Sequence, residues 1–477
     1  MSQPNGNTNK QFASQGSKLF LVRALPAAAV LVVMVLYARR LPQELYGQYQ
    51  NFWVRYGLLS TFTTLGLPSF FLLLSPPEVT GFWKHLSIRQ LSLFGVVNLG
   101  CCALFSYWER LLFPGWIPAV FLLVWTCGLV LESILISFRK LNRLLVINVL
   151  FAGLFLPIHW LLLPEHTHSL TALFEGIGLL ALLRAGVLGV WVLQVFRTQT
   201  AVAPIRSRKI WLHLTLTDLI QQSSRMLDKV LLGLLTSPAR SAIYFNGAQE
   251  VPFLPALLGA ASGNVLLHAS NGREGASLHQ KAHWLRLSGA LLGALVFPMF
   301  WWLLLGRDAV FELVFAGRYP QAAPVFAVFT CALPLRAYPF SALLQHLRLG
   351  AVITIGAFFD LIIAIGLALV LYPIMGLPGI ALAFTIATVL LAGFYTWQTV
   401  QKTGLSPALL FPLKTWVVQF GGAGIAGAVP FYLSQTLGWT AASELIVSGT
   451  VLLLLAMVFL RQTLVRSRAG TPVDPAG

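Results

Sequence analysis

Residues 350–397 read GAVITIGAFFDLIIAIGLALVLYPIMGLPGIALAFTIATVLLAGFYTW, and Asp360 is the only charged residue among them. The stretch divides at Tyr372–Met375 into two apolar runs, 350–371 and 376–397. A bilayer core about 30 Å thick takes roughly 20 apolar residues of helix, so each run spells one membrane span.

Read outward on the same scale, the rest of the chain is mostly of this kind. Of its 477 residues 57% are hydrophobic and 10% charged, and the mean hydropathy is +0.78. A water-soluble domain of that composition would expose a large apolar patch. Runs of spanning length lie near 19–38, 52–74, 86–107, 117–138, 144–163, 170–195, 211–235, 242–268, 285–305, 323–345, 350–371, 376–397, 408–432 and 443–462. The fold class expected is therefore an all-α polytopic membrane protein of about fourteen transmembrane helices.

The net charge of +17 suggests nucleic acid in a soluble protein. Here Lys and Arg fall instead in the short connections between spans, where they set membrane topology and imply no nucleic-acid partner. With the N-terminus inside, the inner connections hold twenty basic residues, among them Lys84, Arg89, Arg139, Lys140, Arg143, Arg206, Arg208, Lys209 and Lys402. The outer ones hold seven, Arg39, Arg40, Arg55, Arg110, Arg240, Arg307 and Arg318. That asymmetry predicts both termini on the cytoplasmic side. Residues 1–18, rich in Asn, Gln and Ser, read as a disordered cytoplasmic tail, and 463–477 as a second. The run after the first tail has no small-residue cleavage site, so it reads as a span rather than a removed signal. Cys101, Cys102, Cys127 and Cys331 lie in or near spans without metal-ligand spacing and read as small core residues.

No connection is long enough for an independent domain. LLFPGWIP (111–118) precedes the fourth span and LVFAGRYP (313–320) the tenth, aligning Phe113 with Phe315, Gly115 with Gly317 and Pro118 with Pro320. Tyr49 and Tyr244 stand at comparable distances past the first and seventh spans. A shared offset of about two hundred residues, six spans, implies an internal duplication of parallel halves about an axis along the membrane normal. The expected organisation is an N-lobe at 19–195, a linker at 196–210, a C-lobe at 211–400 and two further spans within 401–462. Such halves can rock to expose a cavity to each side in turn.

A charge at the bilayer centre costs roughly 2.5–3.5 kcal/mol on insertion scales, so each one kept there faces water or a partner. Arg23, Arg55, Arg184, Arg225, Lys229 and Arg336 are the basic candidates, and Glu132, Glu175, Asp218, Asp228, Glu250, Asp360 and Glu444 the acidic ones. Asp218, Arg225 and Lys229 are spaced by seven and four, which places them on one helical face with Gln221 and Gln222 beside it. One reading makes Arg23, Arg55, Arg225, Lys229 and Arg336 a cationic, substrate-binding cavity for an anion. Pyrophosphate suits it, since guanidinium forks grip phosphate oxygens in pairs. Asp218, Asp228 and Asp360 are then candidates for ion coupling. The plainer reading has Arg23, Arg55 and Arg184 reaching for the interface, Asp228 and Lys229 neutralising neighbours, and Asp360 hydrogen-bonded for structure alone.

Other patterns carry no chemistry. GGAGIAG (421–427) holds a formal GxGxxG inside an apolar helix, with no strand before it, and reads as a packing face. Glu165, His166 and His168 cluster in a short outer loop that reads as a solvated turn. With no nucleophile elbow, zinc spacing or phosphate loop, the chain reads as a transporter rather than an enzyme and calls for no cofactor.

Four segments together resemble the polysaccharide and lipid-linked oligosaccharide flippases of the multidrug/oligosaccharidyl-lipid/polysaccharide (MOP) exporter superfamily. They are LYARRLPQELYGQYQNFW (36–53), LDKVLLGLLTSPARSAIYFNGAQEVPFLP (227–255), ELVFAGRYPQAAPVFAVF (312–329) and GLPGIALAFTIATVL (376–390). The resemblance covers most of 19–400 and rests on order and spacing. It implies a two-lobed bundle in the bacterial inner membrane that moves an undecaprenyl-pyrophosphate-linked glycan outward by alternating access, alongside polymerase or assembly proteins. It also implies basic residues lining the cavity, in agreement with Arg23, Arg55, Arg225 and Arg336. Asp360 stands where relatives often carry Asn. The first span lacks the acidic residue of sodium-coupled drug exporters, which lowers that reading. A drug or lipid II exporter stays open within the superfamily, and a membrane-embedded glycan polymerase or ligase outside it. The latter normally needs a sizeable outer loop, and the outer connections here are short.

Overall fold

The computed structural model describes residue 22 and residues 25–113, 115–163, 170–200, 202, 207–248, 277–347 and 349–469. Among these, every regular element is helical, as a lipid solvent requires of a chain that must satisfy its backbone hydrogen bonds internally. In order they are α1 (25–40), α2 (Gln43–Thr64), α3 (Leu67–Leu73), α4 (Pro76–Lys84), α5 (Ile88–Trp108), α6 (Ile117–Ser137), α7 (Leu141–Leu161), α8 (Thr171–Arg197), α9 (Ser207–Leu235) and α10 (Pro238–Gly247). There follow α11 (Leu278–Leu305), α12 (Arg307–Phe315), α13 (Ala322–Thr330), a 3-10 turn (Leu333–Ala337), α14 (Ala342–His346), α15 (Gly350–Met375), α16 (Leu377–Thr403), α17 (Pro407–Leu410), α18 (Leu413–Leu437) and α19 (Ala441–Ala469). Capping boxes start three of them, with Ser75 and Glu78 at α4, Ser87 and Gln90 at α5, and Ser277 and Gln280 at α11.

The chain is a multi-pass membrane protein. Nine helices among the described residues are long and apolar enough to cross a bilayer, or ten if the bent pair α2 and α3 counts as one. The expected fourteen are not all met, for local reasons. The run at 242–268 lies largely outside the described residues, and the run at 19–38 is described only at residue 22 and from residue 25 on, where α1 (25–40) is shorter than a full span. The run at 323–345 is broken into α13, the 3-10 turn and α14, as Pro334 and Pro339 withdraw two backbone donors. Helix α9 has the length, at 29 residues, but carries Asp218, Arg225, Asp228 and Lys229, and so is not apolar enough to be among the nine.

The chain divides into two compact units, Met1–Ala242 and Ile243–Gly477. In the first, α2 is the keystone. Its Phe52 ring meets Phe105 of α5 at 5.2 Å, Phe121 of α6 at 5.0 Å and Phe174 of α8 at 3.9 Å between centroids. Phe52, Phe105 and Phe174 are buried. A second cluster gathers Phe70, Phe71, Phe82, Leu135, Leu144 and Leu188. Helix α9 packs on α2 and α3 and belongs to this unit.

In the second unit α11 is the core helix, with 61% of its apolar window buried, against 17% for α15. Indole and amide donors stitch its neighbours together. Trp416 Nε1 gives to the Gly289 carbonyl (2.9 Å), Gln419 Nε2 to Ala290 (3.0 Å) and Trp302 Nε1 to Leu445 (3.2 Å). Within lipid each such bond contributes about 0.6 kcal/mol, so the assembly rests on close packing as well. Helices α15 and α16 form an antiparallel hairpin with Gly356 beneath the Tyr395 ring.

Both copies of the repeated motif carry a left-handed glycine after a buried phenylalanine. Gly115 (φ 59°) and Gly317 (φ 69°) are both left-handed, and Phe113 and Phe315 are both buried. The phenylalanine pins a helix end into the core while the glycine reverses the chain, a conformation that costs any residue with a Cβ.

Candidate functional site

Ionic side chains kept within or at the ends of spans are where a fold of this kind can carry chemistry, and the first unit holds two such pairs among its described residues. Arg184 of α8 makes an ion pair with Glu132 of α6, the two side chains being 13% and 17% exposed. The same Nη2 lies 2.9 Å from Asn148 Oδ1 on α7, and Asn148 Nδ2 gives to the Val22 carbonyl at 3.0 Å. The guanidinium sits 5.2 Å over the Phe151 ring. One charge pair thus binds three helices and the segment before α1, and its buried Nε has no partner among the described residues.

Arg55 of α2 gives Nη1 to Glu109 Oε1 at 3.0 Å and to the Trp108 carbonyl at 3.3 Å. Glu109 is 1% exposed and Arg55 20%. Burial pushes the Glu109 carboxyl above its usual range, and Arg55 pulls it back. This pairing holds one edge of the guanidinium. No bond reaches its other edge from the described residues, so Arg55 is oriented rather than used up, and can still take an anionic oxygen.

The remaining residues expected at the site are placed as follows. Arg225 is exposed on α9 and bonded to Gln222 at 2.8 Å, with no acidic partner among the described residues. Lys229 and Asp218 are half-buried on the same helix, and Asp228 is buried. Arg336 lies half-buried in the 3-10 turn that interrupts a span, where backbone groups released from the helix add polarity. Asp360 lies half-buried in α15, and its Oδ1 has no partner among the described residues. Arg23 lies outside the described residues, as do Glu165, His166 and His168. Within the first unit α2 packs on α9: the Cβ that Gly57 lacks would lie 3.4 Å from Met226, and that of Gly233 2.6 Å from Asn51. Among the described residues no three His, Cys, Asp or Glu side chains group as a metal site.

Two features escape a reading of the sequence. Glu109 sits one residue past a span and reads as loop, although its carboxylate pairs with Arg55, 54 positions earlier. His159, fully buried on α7, gives Nδ1–H to the Phe155 carbonyl (2.8 Å), which leaves Nε2 to accept from Tyr49 O–H (3.1 Å). Tyr37 O–H in turn caps the His159 carbonyl at 2.9 Å. The aromatic spacing of Tyr37 and Tyr49 is visible in sequence, but their shared histidine over a hundred residues away is not.

No family model and no curated protein sequence matches the chain. Its structure does have counterparts. The lipid II flippase MurJ in its inward closed conformation aligns with a TM-score of 0.62 over 95% of this chain and 100% of that one, at 14% identity. The chain has the fold of the MOP transporters. An inward-facing multidrug resistance MATE family transporter of the MOP superfamily aligns at 0.55, with 15% identity over 83% of this chain and 98% of that one. A MOP superfamily transporter from Pyrococcus furiosus, described as having a binding pocket of reversed polarity, aligns at 0.54, with 14% identity, over 82% and 94%. At such identities the likeness is one of fold, and the MOP fold hosts more than one cargo.

Proposed function

We propose that the chain is a flippase that moves an anionic undecaprenyl-pyrophosphate-linked oligosaccharide across the bacterial inner membrane by alternating access, for surface polysaccharide biosynthesis. The observation that carries this reading is the full-length match to a flippase of lipid II. Polar and cationic groups kept at membrane depth support it, since the lipid-facing surface of a passive scaffold needs none. In this reading Arg55, Arg225, Lys229 and Arg336, with Arg23, bind the pyrophosphate, and Asp218, Asp228 and Asp360 serve ion coupling. Both termini lie in the cytoplasm, membrane lipids surround the bundle, and polymerase or assembly proteins take up the product. The chain acts as a transporter with no covalent step.

A drug or lipid II exporter is the second reading, supported by the MATE-family and MurJ alignments. Deleting the gene in its host and analysing extracted lipids by mass spectrometry separates them. One accumulating undecaprenyl-linked oligosaccharide on the cytoplasmic side supports the flippase and names its substrate. No accumulation with gained drug sensitivity moves the assignment to an exporter, and unpolymerised repeat units outside move it to a polymerase.

A further inference from the structure

The span holding α2 and α3 is bent by 52° at two successive left-handed residues, Leu65 (φ 47°) and Gly66 (φ 66°). The break strands the Leu65 carbonyl, because Pro68, three residues on, has no N–H to offer a tightened turn. Two donors from α9 reach that oxygen. Trp211 Nε1 and Thr215 Oγ1 each lie 2.7 Å from it. A Cβ on Gly66 would stand 2.7 Å from Thr215 Cα and 2.9 Å from its backbone nitrogen, so only glycine lets the backbone of α9 sit in the elbow. The chain entering α9 is tied down a second time. Val202 N–H gives to the Pro77 carbonyl at 3.1 Å, and a Cβ on Gly81 would lie 2.0 Å from the Val202 oxygen. The Trp211 ring closes the joint against Phe82 at 5.5 Å and Phe70 at 6.3 Å.

We infer that Trp211 and Thr215 are positioning residues, which seat α9 in the α2–α3 elbow and so set the rotation of the helix face that carries Asp218, Arg225 and Lys229. Thr215 lies one turn before residue 218 and under three turns before Arg225, so a slip at the elbow turns the cations away from their register. A stranded carbonyl at membrane depth would by itself accept any donor or a water; two donors converging from one helix turn fix that helix about its own axis. The functional consequence rests on the flippase reading, whereas the seating does not.

The test replaces Cys101, Cys102, Cys127 and Cys331 with serine or alanine in the full-length protein and scans single cysteines through 216–232 with a membrane-impermeant thiol reagent. Wild-type labelling should repeat with helical period, strong at 225 and weak at 228 and 230. In W211F/T215V, which loses both donors while valine keeps the threonine shape and phenylalanine keeps a smaller aromatic ring against Phe82 and Phe70, the pattern should shift in phase or flatten; T215V alone should shift it in the same sense, while T215S keeps the wild-type pattern. In proteoliposomes carrying an undecaprenyl-pyrophosphate-linked glycan, KM should rise roughly tenfold in W211F/T215V and stay unchanged in T215S. Wild-type labelling in folded W211F/T215V overturns the inference. Where the double variant does not fold, T215V decides by the same pattern. Labelling that shifts as expected in a chain that moves no lipid-linked glycan supports the elbow and sinks the flippase reading.

Discussion

Replacing Glu132 by glutamine keeps volume and one acceptor but removes the charge opposite Arg184. Both side chains are more than four-fifths buried, so the guanidinium would keep its desolvation penalty and lose its compensation. Breaking a buried pair from one side costs roughly 3–5 kcal/mol, and a lone cation at the centre of a span roughly 2.5–3.5 kcal/mol. The glutamine carbonyl retains part of the bond, so E132Q should destabilise the protein by about 3 kcal/mol. Removing both charges in E132L/R184M cancels the ionic penalty. What is left is the Asn148 Oδ1, which now takes a bond from Arg184 and would be stranded at about 1–3 kcal/mol. The double variant should therefore be no less stable than E132Q, a coupling that two independent sites could not show. Reversible SDS unfolding in mixed micelles measures wild type, E132L, R184M and E132L/R184M as the corners of the cycle, with E132Q beside them. The reasoning is refuted if E132Q unfolds within about 0.5 kcal/mol of wild type, the usual range of an innocuous surface change, or if the double variant loses the sum of both singles.

Other outcomes follow from the same geometry. Reversing the charge at Arg225 or Arg336 should abolish transport in vesicles without loss of membrane insertion, and full transport in both variants would remove the cationic mechanism. G115A and G317A each place a Cβ in the left-handed region and should cost about 1 kcal/mol apiece, read as lowered midpoints in the same unfolding assay; unchanged midpoints would show that the turn relaxes. Y49F should leave His159 Nε2 without its donor and cost about 1–3 kcal/mol, whereas Y49F/H159L, which removes both partners of the buried bond, should cost less than the sum of Y49F and H159L. Cysteine labelling should place residue 206 on the cytoplasmic side, and periplasmic labelling there would reverse the topology.

Much of this was open to a reading of the sequence because lipid simplifies the problem. An apolar run of spanning length such as 350–371 has one stable outcome, and the helix observed there, Gly350–Met375, overruns it by four residues at one end. The duplicated FxGxxP turn was legible because its glycine answers a backbone need that spacing alone reveals. Pairings were not. Arg184 and Glu132 stand 52 positions apart and Arg55 and Glu109 54, and nothing in a single sequence says which acid a buried base will meet. The α2–α3 elbow was legible in part: Pro68 interrupts the run at 52–74 and points to a bend, but hydropathy does not register that Leu65 and Gly66 turn left-handed there.

These pairings also sort the cations into kinds that composition cannot separate. Arg184 is bonded to a carboxylate and to an amide carbonyl, so its net field beyond α6, α7 and α8 is small, and its work is to hold those helices. Arg55 is held at one edge by a carboxylate that burial keeps from water, an arrangement that orients a guanidinium while leaving donors for a second acceptor. Arg225 differs from both. It is exposed, its bond among the described residues is to the neutral Gln222, and it rides on a helix seated in the α2–α3 elbow through Trp211 and Thr215. A ligand's negative charge is attracted most by the cation with the least compensation, since a paired cation has to be separated from its partner first. Within the first unit that ranks Arg225 above Arg55 and Arg55 above Arg184 in pull on an anionic ligand. It also makes the seating of α9 at Trp211 and Thr215 the feature on which the placement of Arg225 depends.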